Sequence, residues 1–424
     1  MGLSMAERRA VTKQMVKRYA RSSKLEKGRM LDELCALTGW TRRHARRALA
    51  RATTEAPTPP RKPRERVYGP EVLVPLRRVW ATLGGPTGKR LAPFMGEIVG
   101  AMERCGELET APEVRSKLLA VSAATIDRIL APERRRLQVR GRSGTKPGSI
   151  LKAQIPIRTF SEWDDRRPGF CEVDLVGHEG GDPAGEFCQT LDLTCVNTGW
   201  TETRALPVKS QRWVREALVD IRETLPFPLL GLDSDNGSEF INVELFRWCE
   251  ENSITFTRSR PARKNDNCYV EQKNWPVVRQ QVGYLRYDTA EELAVLRELY
   301  DELRLYVNFF QPQQKLVEKT REGAKVRRRY DTAQTPYRRV VASEDVTPEA
   351  KASLNETYLA LNPVELKRRI GSCQDRLVDM ARSKPNGRKE VSPPPTHPFR
   401  TMFSPVQISR TSLVSQPVDA SRTS

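Results

Sequence analysis

The sequence has little with which to build a metal finger or a disulfide framework. It holds three histidines and eight cysteines, the latter scattered at positions 35, 105, 171, 188, 195, 249, 268 and 373 with no CxxC pair. That pattern excludes a zinc ligand set and a secreted, disulfide-stapled domain. Several of the cysteines fall inside apolar strand-like runs, where a small buried thiol is expected, and a reducing cytoplasm fits. Nothing approaches about 18 consecutive apolar residues, and the opening MGLSMAERRAV has no apolar leader, so neither a membrane span nor a secretory signal is expected. Ala6 occupies the position where an N-myristoylation motif needs Ser or Thr.

What is present in excess is positive charge. The 424 residues carry 72 Lys and Arg against 53 Asp and Glu, a formal +19, which suits a polyanionic partner. Without a span or an anchor, nucleic acid is favoured over a membrane surface. The charge is also uneven. Residues 1–70 hold 18 basic and 6 acidic side chains, whereas residues 165–250 hold 8 basic and 16 acidic. The expectation is DNA-binding modules around a site that concentrates carboxylates. The length implies two to four domains.

Residues 1–51 read as helices. Leu31, Leu34 and Leu37 share a face, Thr38-Gly39 ends the run, and Thr41 stands at an N-cap before a basic helix. Helix, glycine turn, basic helix is the helix-turn-helix pattern, and Arg42, Arg43, Arg46 and Arg47 are its candidate DNA contacts. Residues 52–69 are a Pro-rich basic linker. Residues 70–136 form a second helical, helix-turn-helix-like domain with Ser122 as an N-cap, and 137–164 a basic connector. From 165 to 340 three strands with an Asn197-Thr-Gly199 hairpin are followed by helix, strand, helix, strand, helix, which predicts an α/β domain with a five-stranded mixed sheet. A long amphipathic helix is expected over 289–310, a basic mixed segment over 317–343, a helical region over 341–383, and disorder over 384–424. The fold class is therefore multidomain: all-α modules, an α/β core and a helical, partly disordered C-terminal region.

Three acidic residues stand out in that core. Asp174 lies within the strand-like run 170–176, where an unpaired carboxylate costs several kcal/mol. Glu172 shares its face but lies nearer the strand start. Asp235 ends the run 229–235 ahead of Asn236-Gly237, a tight-turn signal that puts the carboxylate at the carboxyl end of a strand. Asp233 competes with it, and Asp235 is preferred because the turn follows it directly. Glu271 opens an amphipathic helix, where a carboxylate also complements the helix dipole. Arg258, Arg260, Arg263 and Lys264 precede it and Lys273 and Asn274 follow, as candidate phosphate contacts. His178, shortly after Asp174, could touch DNA or a leaving group, a plain polar loop residue being the commoner reading.

The separation of Asp235 from Glu271 is 35 intervening residues. Asp174, Asp235-Asn-Gly and Glu271 in that spacing resemble the D,D-35-E pattern of retroviral integrases and insertion-sequence transposases. Tyr306-Val-Asn308, Pro312 and Leu316 are similar to that family's closing helix, and Thr335-Pro336 to the pair after it. The departure is Phe310-Gln-Pro-Gln313, where relatives often carry Arg-Pro-His. The resemblance covers about residues 165–340. It implies a ribonuclease H-like core with the first Asp on the first strand, the second after the fourth and Glu on a following helix. It also implies that Asp174, Asp235 and Glu271 are catalytic and hold two Mg²⁺ or Mn²⁺ ions, Asp174 bridging them. The implied reaction is metal-dependent cleavage at transposon ends and 3′-hydroxyl joining to target DNA, by a homo-oligomer of at least two subunits in a bacterial cytoplasm, at the nucleoid. The His₂Cys₂ zinc module of retroviral integrases is missing from residues 1–168, which hold one His and two Cys. A ribonuclease H-type nuclease without joining activity, and a catalytically silent DNA-binding regulator, are the alternatives.

Overall fold

The computed structural model describes residues 3–53, 67–136, 166–235, 237, 239–258 and 268–384. Most of the expected linker and connector, the expected disordered tail after 384, and Arg260, Arg263 and Lys264 lie outside the described residues. The chain divides into two compact units, Met1–Val67 and Tyr68–Ser424.

The first unit is a three-helix module: α1 (Met5–Arg21), α2 (Lys24–Thr38) and α3 (Arg42–Thr53). Ser4 and Ser23 each close a capping box, with Glu7 and Glu26 three residues on. Gly39 ends α2 in the left-handed region at φ 69°, which a side chain would strain. The Thr41 hydroxyl then accepts the His44 amide at 3.3 Å and starts α3. Leu31, Leu34, Ala45 and Leu49 close a small core with Val11, Met15, Val16, Tyr19 and Trp40 around it. Every arginine of α3 is left on its outer side.

In the second unit, α4 (Pro70–Thr82), α5 (Gly88–Arg104), α6 (Pro112–Leu119), α7 (Ala123–Ile129) and α8 (Ala131–Arg136) precede the sheet. Ser122 caps α7 through the Thr125 amide. Val72, Leu76, Trp80, Phe94, Ile98 and Ile126 belong to the same continuous core as the sheet residues.

The sheet has the order β3-β2-β1-β4-β5. Its strands are β1 (Phe170–Gly177), β2 (Gln189–Cys195), β3 (Thr201–Leu206), β4 (Gly231–Ser234) and β5 (Thr255–Arg258). The pairs β1–β2 and β2–β3 are antiparallel, while β1–β4 and β4–β5 are parallel. A three-stranded meander extended by two parallel strands reached through helices is the ribonuclease H-like fold. The crossovers are α9 (Gln211–Thr224) and α10 (Val243–Glu251). α9 buries Val214, Ala217, Leu218 and Ile221, a helical 3–4 spacing, and so covers one face of the sheet.

α11 (Cys268–Lys273) continues through a π-helical turn, Asn274–Arg279, into α12 (Gln280–Val282). Pro276 sits within that turn. It has no N–H to give, and its ring crowds the preceding turn, so a wider helix accommodates it. The amphipathic helix expected at Glu271 is thus present with a bulge in its middle.

α13 (Ala290–Phe310) packs on β3 and on the last helix, and its Asn308 behaves like a neighbouring strand. It takes the Thr201 amide at 2.9 Å and gives to the Thr201 carbonyl at 2.8 Å. The expected mixed segment after it is a hairpin, β6 (Leu316–Glu322) and β7 (Lys325–Tyr330), followed by α14 (Pro336–Ala342). α15 (Pro348–Ala360) and α16 (Pro363–Arg382) complete the chain that is described. The Tyr306 hydroxyl donates to the Thr82 carbonyl at 2.7 Å and Arg338 pairs with Glu97 at 2.9 Å, tying α13 and α14 to α4 and α5. Among the described residues no helix is long and apolar enough to cross a membrane.

Candidate active site

β1 is the middle strand, and its pairing decides what surrounds Asp174. Antiparallel register sets Asp192 of β2 directly beside it. Parallel register pairs Val173 with Ser234, and one further step along both strands brings Asp235 beside Asp174. Asp233 is different: it is fully buried inside β4 and takes the Thr257 hydroxyl at 2.5 Å. Asp235 stands just past the strand, half-buried, where its Oδ1 accepts the Gly237 amide at 2.8 Å.

Glu271 reaches the same end of the sheet because α11 is pinned there. The fully buried Glu172 accepts the Tyr269 and Val270 amides on Oε2, at 2.8 and 3.1 Å. First-turn N–H groups have no acceptor within their own helix, so Glu172 supplies one, and a carboxylate also complements the dipole there. Two residues beyond Glu172 on the same strand face, Asp174 accepts Asn274 Nδ2 on Oδ2 at 2.7 Å and the Leu175 amide on Oδ1 at 2.8 Å. β1 therefore grips the helix twice, once on each side of Glu271.

The electrostatics follow from that crowding. Burial pushes the Asp174 carboxyl up to about 6; the Asn274 bond opposes this, while the charges of Asp235 and Glu271 add to it. The Asp235 carboxyl is also raised by burial, against the Gly237 amide, with Glu239 contributing. Glu239 is buried, pairs with Lys209 at 2.9 Å, and lies so near Gly237 that a Cβ there would stand 2.4 Å from its Oε1. A side chain at 237 would push that carboxylate aside. Asp192 is fully buried and raised by burial; the Lys273 ammonium counters it, and is itself lowered by its burial.

The basic candidates divide in three. Lys273 and Asn274 are turned onto the site, toward Asp192 and Asp174. Arg258 is buried at the end of β5. On α3, Arg43, Arg46 and Arg47 are exposed, whereas Arg42 bonds Asp32 at 2.6 Å and the Gly28 carbonyl at 3.3 Å. His178 lies in the loop just past β1, as expected, but it is not within reach of DNA. It is fully buried, its Nε2 meets the Thr190 hydroxyl at 2.7 Å, and burial holds its pKa down at about 3, so it is neutral.

Sequence reasoning passed over Asp192 and Glu239 and gave Glu172 no role. The signal for Asp192 was the one used for Asp174, a carboxylate centred in an apolar strand. Among the described residues no three His, Cys, Asp or Glu side chains converge tightly enough to clasp an ion, and Glu271 is exposed.

No family model matches the chain. It is 43% identical over 339 residues to "Uncharacterized protein y4rM" of Sinorhizobium fredii, an alignment covering 80% of this chain and 96% of that protein. The chain belongs to the y4rM family. Among solved structures it is similar to the catalytic core domain of BIV integrase, at 16% identity and a TM-score of 0.27, over 40% of this chain and 91% of that one. It is also similar to the HTLV-2 integrase catalytic core domain in complex with magnesium, at 13% identity and a TM-score of 0.26, over 34% and 90%. In this member of the y4rM family the strand order and sense are themselves those of the ribonuclease H-like fold.

Proposed function

We propose that the chain is a DDE-type transposase or integrase, a polynucleotidyl transferase that binds transposon ends, cuts a strand there and joins the freed 3′-hydroxyl to target DNA. The observation that supports the reading is that Asp174, raised chiefly by burial, also feels the charges of Asp235 and Glu271 at the same end of the sheet, although the three do not converge into a closed ion site. A carboxylate cluster under mutual repulsion is relieved by a cation, and an all-oxygen donor set suits Mg²⁺ or Mn²⁺. The residues present fit such ions in chemistry: Asp174, Asp235 and Glu271 would hold them. When bound, a pair of divalent ions activates the attacking oxygen and stabilises the leaving 3′ oxygen of an in-line displacement.

The chain's own side chains do the rest. Asn274 fixes the orientation of Asp174, and Glu172 fixes the helix that carries Glu271. Gly237 gives Asp235 an amide donor that holds its carboxylate at the strand end. The exposed arginines of α3 supply phosphate contacts that place the element end. One triad offers one reactive centre, so concerted joining of two ends calls for at least a dimer on DNA, and a closed symmetric oligomer suits inverted-repeat ends.

The test is incubation of the full chain with Mg²⁺ and duplexes carrying the terminal repeats of its own element. Nicked and joined products together support the reading. Nicks without joining make it a nuclease; binding without either makes it a silent regulator.

A further inference from the structure

The hairpin of β6 and β7 forms a separate sheet of two strands. Every residue of β6 is exposed, including Leu316, Val317, Lys319 and Arg321. Its root is nonetheless fixed. Gln313 and Gln334 exchange backbone bonds at 2.8 and 3.1 Å, the Lys315 amide bonds Asp331 Oδ1 at 2.7 Å, and Asp331 pairs with Arg339 at 2.7 Å. At the tip Gly323 takes φ 59° at the first of two central positions, where a II′ hairpin turn wants glycine. A ribbon held at its base and bare along its length buries almost nothing, so packing does not account for it.

Its charge is sorted by face. Residues 315–330 carry seven Lys and Arg against two Glu. The register places Glu318 opposite Arg329, and on that same face Glu322 meets Arg327, with ion pairs at 3.0 and 3.8 Å. On the other face Lys319 stands opposite Arg328, and Arg321 stands opposite Val326. No salt bridge among the described residues involves Lys319, Arg321 or Arg328; Arg321 spends its Nε on the Gly323 carbonyl at 3.2 Å. Cations directly opposed across a strand pair destabilise it. Charge on a bare strand also guards against edge-to-edge aggregation. The alternating signs of the first face meet that need without setting cation against cation. A polyanion lying on the second face would remove the repulsion.

We infer that this ribbon is a DNA-docking arm whose Lys319, Arg321 and Arg328 face lies against the phosphates of a duplex. Two strands about 4.8 Å apart are narrow enough for the major groove, which admits a two-stranded ribbon. The inference rests on the proposed DNA-acting role of the chain, and deepens it by naming a contact surface outside both α3 and the carboxylate site.

The test measures binding of the full chain to a fluorescent mixed-sequence duplex over a salt series without divalent metal. The variant Lys319→Gln/Arg321→Gln/Arg328→Gln should fold normally, since all three side chains are exposed. Its log–log salt slope should fall by about 2–3 units against the unaltered chain. The control Arg327→Gln/Arg329→Gln, which removes paired charges, should change the slope less than half as much. An unchanged slope in the triple variant overturns the arm and leaves the DNA-acting role standing. No duplex binding by the unaltered chain overturns both. Weaker binding of the triple variant to phosphatidylserine vesicles, with duplex binding unchanged, makes the ribbon a lipid-headgroup surface and also overturns the inference.

Discussion

Glu172 Oε2 lies 3.1 Å from the Val270 amide it accepts, and that bond couples the middle strand to the residue immediately before Glu271. The Tyr269 amide shares the same oxygen at 2.8 Å. Glu172 is thus a positioning residue. Glu172→Gln keeps the shape and an acceptor but loses the charge, while Glu172→Ala leaves two amides without their acceptor. Charge-assisted bonds of this kind contribute about 1.5–3 kcal/mol each. Cleavage should fall about tenfold or more in the alanine variant and less in the glutamine variant, with end binding unchanged in both. Equal cleavage by all three proteins would detach Glu172 from the site.

The arginines of α3 should not contribute equally. Arg42 is engaged by Asp32, so it releases fewer counterions on binding DNA than Arg43, Arg46 or Arg47. Replacing those three with glutamine should lower the salt slope of binding to terminal-repeat DNA by about 2–3 units. Adding Arg42→Gln should change it little further. A slope governed by Arg42 alone would contradict this.

His178 makes stability depend on pH. Its pKa in the folded chain is about 3, against 6.5 in the unfolded chain, so below pH 6.5 the unfolded state takes up a proton that the folded state refuses. The contribution is complete above pH 6.5 and is lost as pH falls toward 3, by about 1.4 kcal/mol for each unit. Urea midpoints at pH 7, 5.5 and 4.5 should fall more steeply for the unaltered chain than for His178→Gln. Parallel declines would mean that His178 is protonated without cost.

Subunit mixing addresses the oligomer. Unaltered subunits are combined with Glu271→Gln subunits on a substrate with paired ends. Concerted joining should drop faster than the mutant fraction rises. A strictly linear drop, with a monomer–DNA mass in the active complex, would contradict a shared assembly.

Much of this architecture was readable where one face of an element is buried and the other is not. The helices over 243–251 and 290–310 show a clean helical period, and the Asn197-Thr-Gly199 turn marks its hairpin. The start of β2 is set by contacts the sequence does not display: Phe187 stacks under Arg286 and the Cys188 amide bonds the Tyr287 carbonyl, so the ladder starts at Gln189. Asp192 escaped notice because Thr190, Asp192 and Thr194 alternate with Leu191, Leu193 and Cys195, which reads as an exposed polar face, whereas the structure buries both faces of β2. The β6–β7 ribbon escaped for the opposite reason. With no buried face there is no period of two in hydrophobicity, only a charge pattern that the register makes legible. The choice of Asp235 over Asp233 turned on the glycine turn alone. The structure adds that Asp233 is enclosed and occupied by Thr257.

The most direct test of the central claim compares four proteins in Mg²⁺-dependent cleavage and joining of terminal-repeat DNA: the unaltered chain, Asp174→Asn, Asp235→Asn and Glu271→Gln. Neutral amides keep the side-chain shape and lose the charge that would hold the ions. All three variants should bind the ends with near-normal affinity and show neither cleavage nor joining, and EDTA should do the same to the unaltered chain. Near-normal cleavage by any one variant would remove that residue from the site, and near-normal cleavage by all three would contradict the account.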